Sequence, residues 1–153
     1  MNPTMIVLND RIRIDDIRRI VPGIRLKIPL FSSYVAAGFP SPAENYIEKV
    51  CDLNDLCILN AEATYFVRVG SDSMSGDRIE AGDILVVDCS LEPVGGRIVV
   101  VWLNGDHVVK RIRFAGEMIV LESSNPKYLP IYVHPGEDFK VFGVVTRVIM
   151  KPV

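Results

Sequence analysis

From residue 64 onward, short apolar runs alternate with turn residues, a pattern typical of a mainly β protein. Runs rich in β-branched and aromatic residues predict strands at residues 64–69, 84–88, 97–103, 107–113, 118–122, 131–133 and 139–149. No ten-residue helical stripe separates these runs. Asn104-Gly105 falls between two of them and predicts a hairpin, because a type I′ turn needs φ > 0 at both central positions. The pattern therefore predicts a mainly β body.

The first part of the chain gives weaker signals. Residues 24–41 are interrupted by prolines and predict extended chain, since proline cannot donate a ladder hydrogen bond. Residues 42–59 predict a helix, because apolar residues recur there at helical spacing and Ser41 can cap its start. We therefore divide the chain into a mobile N-terminal arm, residues 1–41, and a β domain, residues 42–153.

Composition and charge narrow the function classes. The 153 residues suit one domain, and 49% hydrophobic residues exclude general disorder. With 17 Lys and Arg against 19 Asp and Glu, no overall basic field attracts nucleic acid or membranes. The longest apolar run, residues 98–103, is too short to span a bilayer. We expect a cytoplasmic protein without a membrane segment.

The charge is unevenly distributed along the chain. Residues 1–40 hold six Arg and Lys against three Asp, so they are net positive, whereas the whole chain carries −2. The simpler interpretation is a solvated basic arm attracted to an acidic body, and the alternative is contact with DNA phosphates. We expect no direct sequence-specific DNA binding.

Cysteine and histidine give little support for metal or thiol chemistry. The three cysteines cannot all pair within one chain, and none lies in a CxxC motif: Cys51, Cys57 and Cys89. They lack the flanks of a thiol-protease signature and are interpreted as small hydrophobes. His107 and His134 show no ligand spacing with the acidic residues. We expect no metal and no cofactor.

The segment 70–76 places small polar residues directly after a predicted strand. A turn there can expose a hydroxyl group and aim backbone N–H groups at one point, although a solvated turn is the simpler interpretation. A serine nucleophile also needs a base, and no Gly-x-Ser-x-Gly elbow supports a histidine triad. Lys110 is the other candidate base, because its strand is apolar and burial drives lysine toward its neutral form. The alternative is an exposed strand lysine beside Arg111.

These segments resemble the LexA/UmuD family of self-cleaving Ser-Lys peptidases. The resemblance covers roughly residues 28–149 and rests on four main motifs: Ser71-Asp72-Ser73-Met74, residues 82–88, Val108-Val109-Lys110-Arg111, and residues 141–145. Residues 28–31, 37–42, 52–54 and 63–67 extend the agreement toward the start of the chain.

The resemblance implies a β-clip type catalytic β domain with an extended N-terminal arm. It also implies that Ser73 is the nucleophile, Lys110 the general base, and Ala37–Gly38 the scissile bond. The small side chains at this bond are compatible with close approach of a nucleophile. One departure is Ser71, where the family commonly has glycine. If that position required φ > 0, the turn would be strained.

Within the family the match is closest to the UmuD branch, because only about 27 residues precede the shared region. This implies cleavage in the SOS response, activation by a RecA filament on single-stranded DNA, a homodimer, and binding of the processed form to a UmuC-like DNA polymerase subunit for translesion synthesis. The alternatives are a non-cleaving binding or regulatory module of the same fold, a repressor-type regulator without a DNA-binding head, and a general endopeptidase related to signal peptidases.

Overall fold

The computed structural model describes residues 6–8, 28–31 and 47–153, which form two sheets. The strands are β1 (Ile6–Leu8), β2 (Ile28–Phe31), β3 (Ile47–Cys51), β4 (Thr64–Val69), β5 (Ile84–Asp88), β6 (Ile98–Leu103), β7 (Asp106–Ala115), β8 (Met118–Glu122), β9 (Ile131–Val133) and β10 (Phe139–Ile149). The larger sheet has the order β1-β4-β5-β10-β6-β7-β8-β9, and β2 pairs with β3 in the smaller one. One short helix, α1 (Leu53–Cys57), and two 3₁₀ turns, Ala61–Ala63 and Ser75–Asp77, complete the described elements.

The mainly β fold class predicted from the sequence is confirmed. Strands β4, β5, β8, β9 and β10 have the predicted bounds, and β6 and β7 differ from prediction by one or two residues. The predicted hairpin turn joins β6 to β7, with φ of 47° at Asn104 and 96° at Gly105. The sequence predicts these strands because their signals are local: each is a run of β-branched residues that ends at turn residues.

In the described part of the range, residues 47–59, the helix predicted over residues 42–59 is wrong apart from five helical residues. Residues Ile47–Cys51 form β3, which pairs antiparallel with β2. Helix α1 is only five residues long and begins after Asp52, whose side chain accepts a hydrogen bond from the Asp55 amide in a capping box. The pairing of β3 with a strand about 20 residues earlier is non-local, so periodicity within the segment could not show it.

The predicted arm lies mostly outside the described residues. Of the described strands, β1 and β2 belong to it, and β1 runs parallel to β4. Ala37 and Gly38, the predicted scissile pair, lie outside the described residues.

Apolar side chains pack on both faces of the large sheet. Val100 on β6 belongs to one buried cluster with Val67 and Val109, and its neighbours Val99 and Val101 belong to another. All three β6 valines are fully buried, which explains why this strand is a continuous apolar run. Strand β7 pairs with this buried strand along the length of β6.

Strand β10 changes its pairing register at two points. Shifts occur between Val141 and Gly143 against β6, and between Val145 and Arg147 against β5. Bulges of this kind increase local twist and let a sheet curve. A Cβ at Gly143 would lie 2.6 Å from Val87 Cγ1, so only glycine allows this close approach of β10 to β5.

Candidate active site

Ser73 lies in a turn that follows β4 and leads into the 3₁₀ turn Ser75–Asp77. The turn is held by backbone hydrogen bonds from the Ser75 amide to the Asp72 carbonyl and from the Asp77 amide to the Met74 carbonyl. Met74 is 1% exposed and packs in the core, while it also lines the pocket beside Ser73. This buried anchor fixes the turn, and Ser73 itself is only 5% exposed.

Lys110 lies near the middle of β7, opposite Val99 of β6. Its side chain is buried, with 6% of the residue exposed, so the alternative of an exposed strand lysine is wrong. Its Nζ donates a hydrogen bond to Ser123 Oγ at 2.8 Å. The same nitrogen lies 5.3 Å from the centroid of the Tyr128 ring.

Ser73 and Lys110 line one small pocket of about 40 Å³. Tyr128 and Ser71 also line it. A volume of this size holds roughly one water molecule or a small group such as a carbonyl. The structure therefore brings a buried hydroxyl and a buried amine, 37 residues apart in sequence, to the same small pocket.

Ser71 lies beside the proposed nucleophile without left-handed backbone geometry. Among the residues that the structure describes, the non-glycine residues with positive φ are Arg78 and Asn104. The strain considered for Ser71 is therefore not found. Instead, the Ser71 and Ser73 hydroxyl oxygens are 3.3 Å apart and share a hydrogen bond.

The segment that follows β8 fastens the Ser73 turn to the sheet. The amides of Ser124 and Asn125 both donate to the Ser73 carbonyl, at 3.1 and 3.2 Å. The Asn125 side chain donates to the Asp72 carbonyl at 2.9 Å. The Tyr128 hydroxyl donates to Asp72 Oδ1 at 2.6 Å, and this bond is the main cause that lowers the pKa of the Asp72 carboxyl. One loop thus contacts both candidate catalytic residues.

Sequence reasoning missed Ser123, Asn125 and Tyr128. The only signal was a polar segment directly after a predicted strand, the same signal that marked Ser73. Their partners lie 13 to 56 residues away in sequence, so no local pattern connects them.

Arg111, next to Lys110, supports the other side of the turn. Its guanidinium forms an ion pair with Asp77 at 2.6 Å and donates to the Gly96 carbonyl. The Asp77 amide in turn donates to Ser124 Oγ at 3.0 Å. Asp77 therefore links β7 to the loop after β8.

A larger groove of about 640 Å³ lies next to this pocket and shares His107 with it. His107 is buried, and its ring makes edge contacts with Trp102 and Phe142 at centroid distances of 4.9 and 5.9 Å. Cys89 also lines the groove, and burial raises the pKa of its thiol to about 11. Such a thiol stays protonated at neutral pH and is a poor nucleophile.

All three cysteines are free thiols; Cys51 is buried, and Cys57 and Cys89 are partly buried. Within the described ranges, no group of three or more His, Cys, Asp or Glu residues is arranged to hold a metal ion. In the same part of the chain, no helix is long and apolar enough to cross a membrane.

Comparison with known proteins identifies the family of the chain. The model of the family described as "Peptidase S24-like" matches residues 29–146, and the chain therefore belongs to the peptidase S24-like family. Protein SamA of Salmonella typhimurium strain LT2 is 42% identical over 123 residues, which covers 80% of this chain and 85% of SamA. Protein ImpA of Escherichia coli is 41% identical over 125 residues, covering 79% and 82% of the two chains.

A third relative, protein MucA of Escherichia coli, is 37% identical over 121 residues, covering 78% of this chain and 82% of MucA. These relatives confirm the resemblance to the LexA/UmuD family and place the chain among its UmuD-like members.

Proposed function

We propose that this chain is a self-cleaving serine peptidase that cuts its own Ala37–Gly38 bond in the SOS response to DNA damage. The observation that carries the proposal is the joint burial of Ser73 and Lys110 at one pocket of about 40 Å³. A hydroxyl and an amine that share a small, largely desolvated pocket can act as nucleophile and base without histidine.

The first half of the reaction uses the two side chains in sequence. Desolvation favours the neutral amine of Lys110, which takes the proton of the Ser73 hydroxyl as Oγ attacks the Ala37 carbonyl carbon. Backbone N–H groups of the turn stabilise the oxyanion. The C–N bond to Gly38 then breaks, Lys110 returns its proton to the leaving amine, and Ala37 remains as an ester on Ser73.

The second half repeats the same proton transfers with water. Neutral Lys110 takes a proton from water as its oxygen attacks the ester carbonyl, and Ser73 leaves with that proton. The products are a 37-residue arm with a free carboxylate and a body that begins at Gly38. The mobile-arm and β-domain division of the chain, at residues 1–41 and 42–153, is part of this proposal.

The proposed biological role follows the UmuD-like relatives. A RecA filament on single-stranded DNA activates cleavage, and the shortened form, as a homodimer in the cytoplasm, serves a UmuC-like DNA polymerase subunit in mutagenic translesion synthesis. The similarity to SamA, ImpA and MucA over about four fifths of the chain supports this role.

The test is the intact mass of the purified protein after incubation at alkaline pH. Two fragments that meet at the Ala37–Gly38 bond are expected from the wild type, and none from Ser73→Ala, although that variant keeps Ser71. If the wild type stays whole, the assay is repeated with RecA, ATP and single-stranded DNA. A chain that remains uncut under both conditions would contradict self-cleavage and favour the non-cleaving binding module.

A further inference from the structure

We propose that Ser123 is a positioning residue for Lys110: its hydroxyl holds one N–H of the amine so that the nitrogen lone pair is directed at Ser73. This inference rests on the proposed function, because it concerns the base of the proposed dyad. Nothing in the sequence motifs that indicate the dyad includes Ser123.

Strand pairing brings the two residues together. Arg111 of β7 lies opposite Glu122 of β8 in the antiparallel pair. Lys110 precedes Arg111 and Ser123 follows Glu122, so the two residues lie next to each other at the end of this pairing. Ser123 directly follows the end of β8, and the next two residues, Ser124 and Asn125, donate their amides to the Ser73 carbonyl. The 2.8 Å bond from Lys110 Nζ to Ser123 Oγ therefore joins β7 to the loop that fastens Ser73.

A neutral lysine amine has two N–H bonds and one lone pair, and it rotates about Cε–Nζ unless something holds it. Only the orientation that aims the lone pair at Ser73 can accept the nucleophile's proton. With one N–H on Ser123 and the Tyr128 ring 5.3 Å from the nitrogen, rotation is restricted. Because Ser123 already restricts rotation of the amine, less conformational entropy is lost when Lys110 reaches the reactive orientation.

The same hydrogen bond has an opposite effect on the protonation equilibrium. A hydroxyl oxygen accepts a stronger hydrogen bond from an ammonium than from a neutral amine, because the bond is charge-assisted. Ser123 therefore favours the charged form of Lys110 relative to an apolar residue in its place. Removing the Ser123 hydroxyl therefore lowers the fraction of Lys110 amines that are correctly oriented, but raises the fraction of Lys110 that is neutral at a given pH.

These two effects give a pH signature that a merely structural role would not produce. In Ser123→Ala, the cleavage rate on the alkaline plateau should fall about three- to tenfold, the range set by one net hydrogen bond. The midpoint of the acid limb should move to lower pH by about half a unit. Ser123→Thr keeps a hydroxyl and should restore both the plateau rate and the midpoint of the wild type.

Ser124→Ala is the matched comparison, because Ser124 is the next residue of the same loop and its Oγ accepts a hydrogen bond from the Asp77 amide. This variant should change stability or the plateau without moving the midpoint. The proposal is overturned if Ser123→Ala keeps the wild-type midpoint and plateau, or if both serine variants change the profile in the same way.

A second measurement does not depend on cleavage. The pKa of Lys110 is followed by ¹⁵N NMR of the lysine side chains in a Ser73→Ala background, with and without Ser123→Ala. A lower Lys110 pKa in the double variant supports the inference, and an unchanged one overturns it. A wild type that is never cut, together with a lowered pKa, would contradict the peptidase proposal alone and leave the coupling of Ser123 to Lys110 supported.

Discussion

Lys110 is buried in β7, and Val109 and Ile112 of the same strand belong to the hydrophobic core. The ammonium form of Lys110 therefore loses most of its hydration. Desolvation lowers the pKa of a lysine, and only the neutral amine can accept the Ser73 proton. Self-cleavage should therefore accelerate about tenfold per pH unit below the Lys110 pKa and level off above it. Single-turnover rates between about pH 6 and 10 check this, and a flat profile would rule out a lysine base.

Lys110→Met is the companion variant at the same position. It should abolish cleavage and leave the protein at least as resistant to urea, because methionine fills a similar space without a charge to desolvate. The exposed lysine Lys151 provides the control: Lys151→Met should cleave at the wild-type rate. A Lys110→Met protein that still cuts itself would contradict the assigned base.

The hydrogen bond of the Tyr128 hydroxyl leads to a second prediction, which concerns the pKa of the Asp72 carboxyl. Its bond to Asp72 is the main cause of the lowered pKa of that carboxyl, so Tyr128→Phe should move the pKa up toward the ordinary value of about 3.9. A lowered folded-state pKa stabilises the protein above the unfolded-state pKa, and this contribution is lost as pH falls through the folded-state value.

The stability difference between wild type and Tyr128→Phe should thus be present at neutral pH and shrink in acid. Carboxyl ¹³C NMR titration gives the pKa of Asp72, and urea unfolding at pH 7 and pH 3 gives the stability difference. A difference that grows in acid would show that the sign of this linkage is wrong.

At the scale of elements, the contact between the 3₁₀ turn Ser75–Asp77 and the loop after β8 depends on one glycine. A Cβ at Gly76 would overlap the Ser124 carbonyl oxygen, which is backbone and cannot rotate away. Gly76→Ala should push the two segments apart, lower the free energy of unfolding by about 1–3 kcal/mol, and slow cleavage because Ser73 shifts relative to Lys110.

Gly95→Ala is the control for this prediction. Its Cβ would meet only the Phe114 side chain, at an ordinary 3.8 Å, and its backbone φ is not positive. We expect unchanged cleavage there and an equal or slightly higher stability. Urea unfolding and cleavage rates of both variants measure the difference; equal behaviour would mean that the turn and loop are not tightly coupled.

The same elements show how far the sequence could predict this molecule. Strands such as Met118–Glu122 were found because apolar alternation and turn residues act locally. The strand Ile47–Cys51 was mistaken for helix because its partner Ile28–Phe31 is supplied by a distant segment. In the candidate site, local sequence indicates Ser73, in a polar turn after a strand, and Lys110, in an apolar strand. Ser123 could not be predicted in this way, because it reaches Lys110 only through the pairing of β7 with β8.

At the scale of the whole molecule, the distribution of charge predicts how cleavage responds to salt. Residues 1–40 carry six basic residues against three acidic ones, and the remaining chain is net acidic. If the segment that holds Ala37–Gly38 must approach Ser73 before reaction, attraction between the two parts raises the population of the reactive arrangement. Because the Debye length falls from about 10 Å at 0.1 M salt to about 3 Å at 1 M, this attraction is screened at high salt.

Self-cleavage at fixed alkaline pH should therefore slow by several-fold between low and high sodium chloride. Replacing Arg11, Arg13 and Arg18 together by glutamine should reduce the salt dependence, since it removes half of the six positive charges in that segment. The acid-limb midpoint of the pH–rate profile of the unaltered protein, measured at each salt concentration, separates this effect from a shift in the Lys110 pKa. A rate that does not respond to salt in the wild type would mean that the approach of the cleavage segment is driven by apolar contacts rather than by charge.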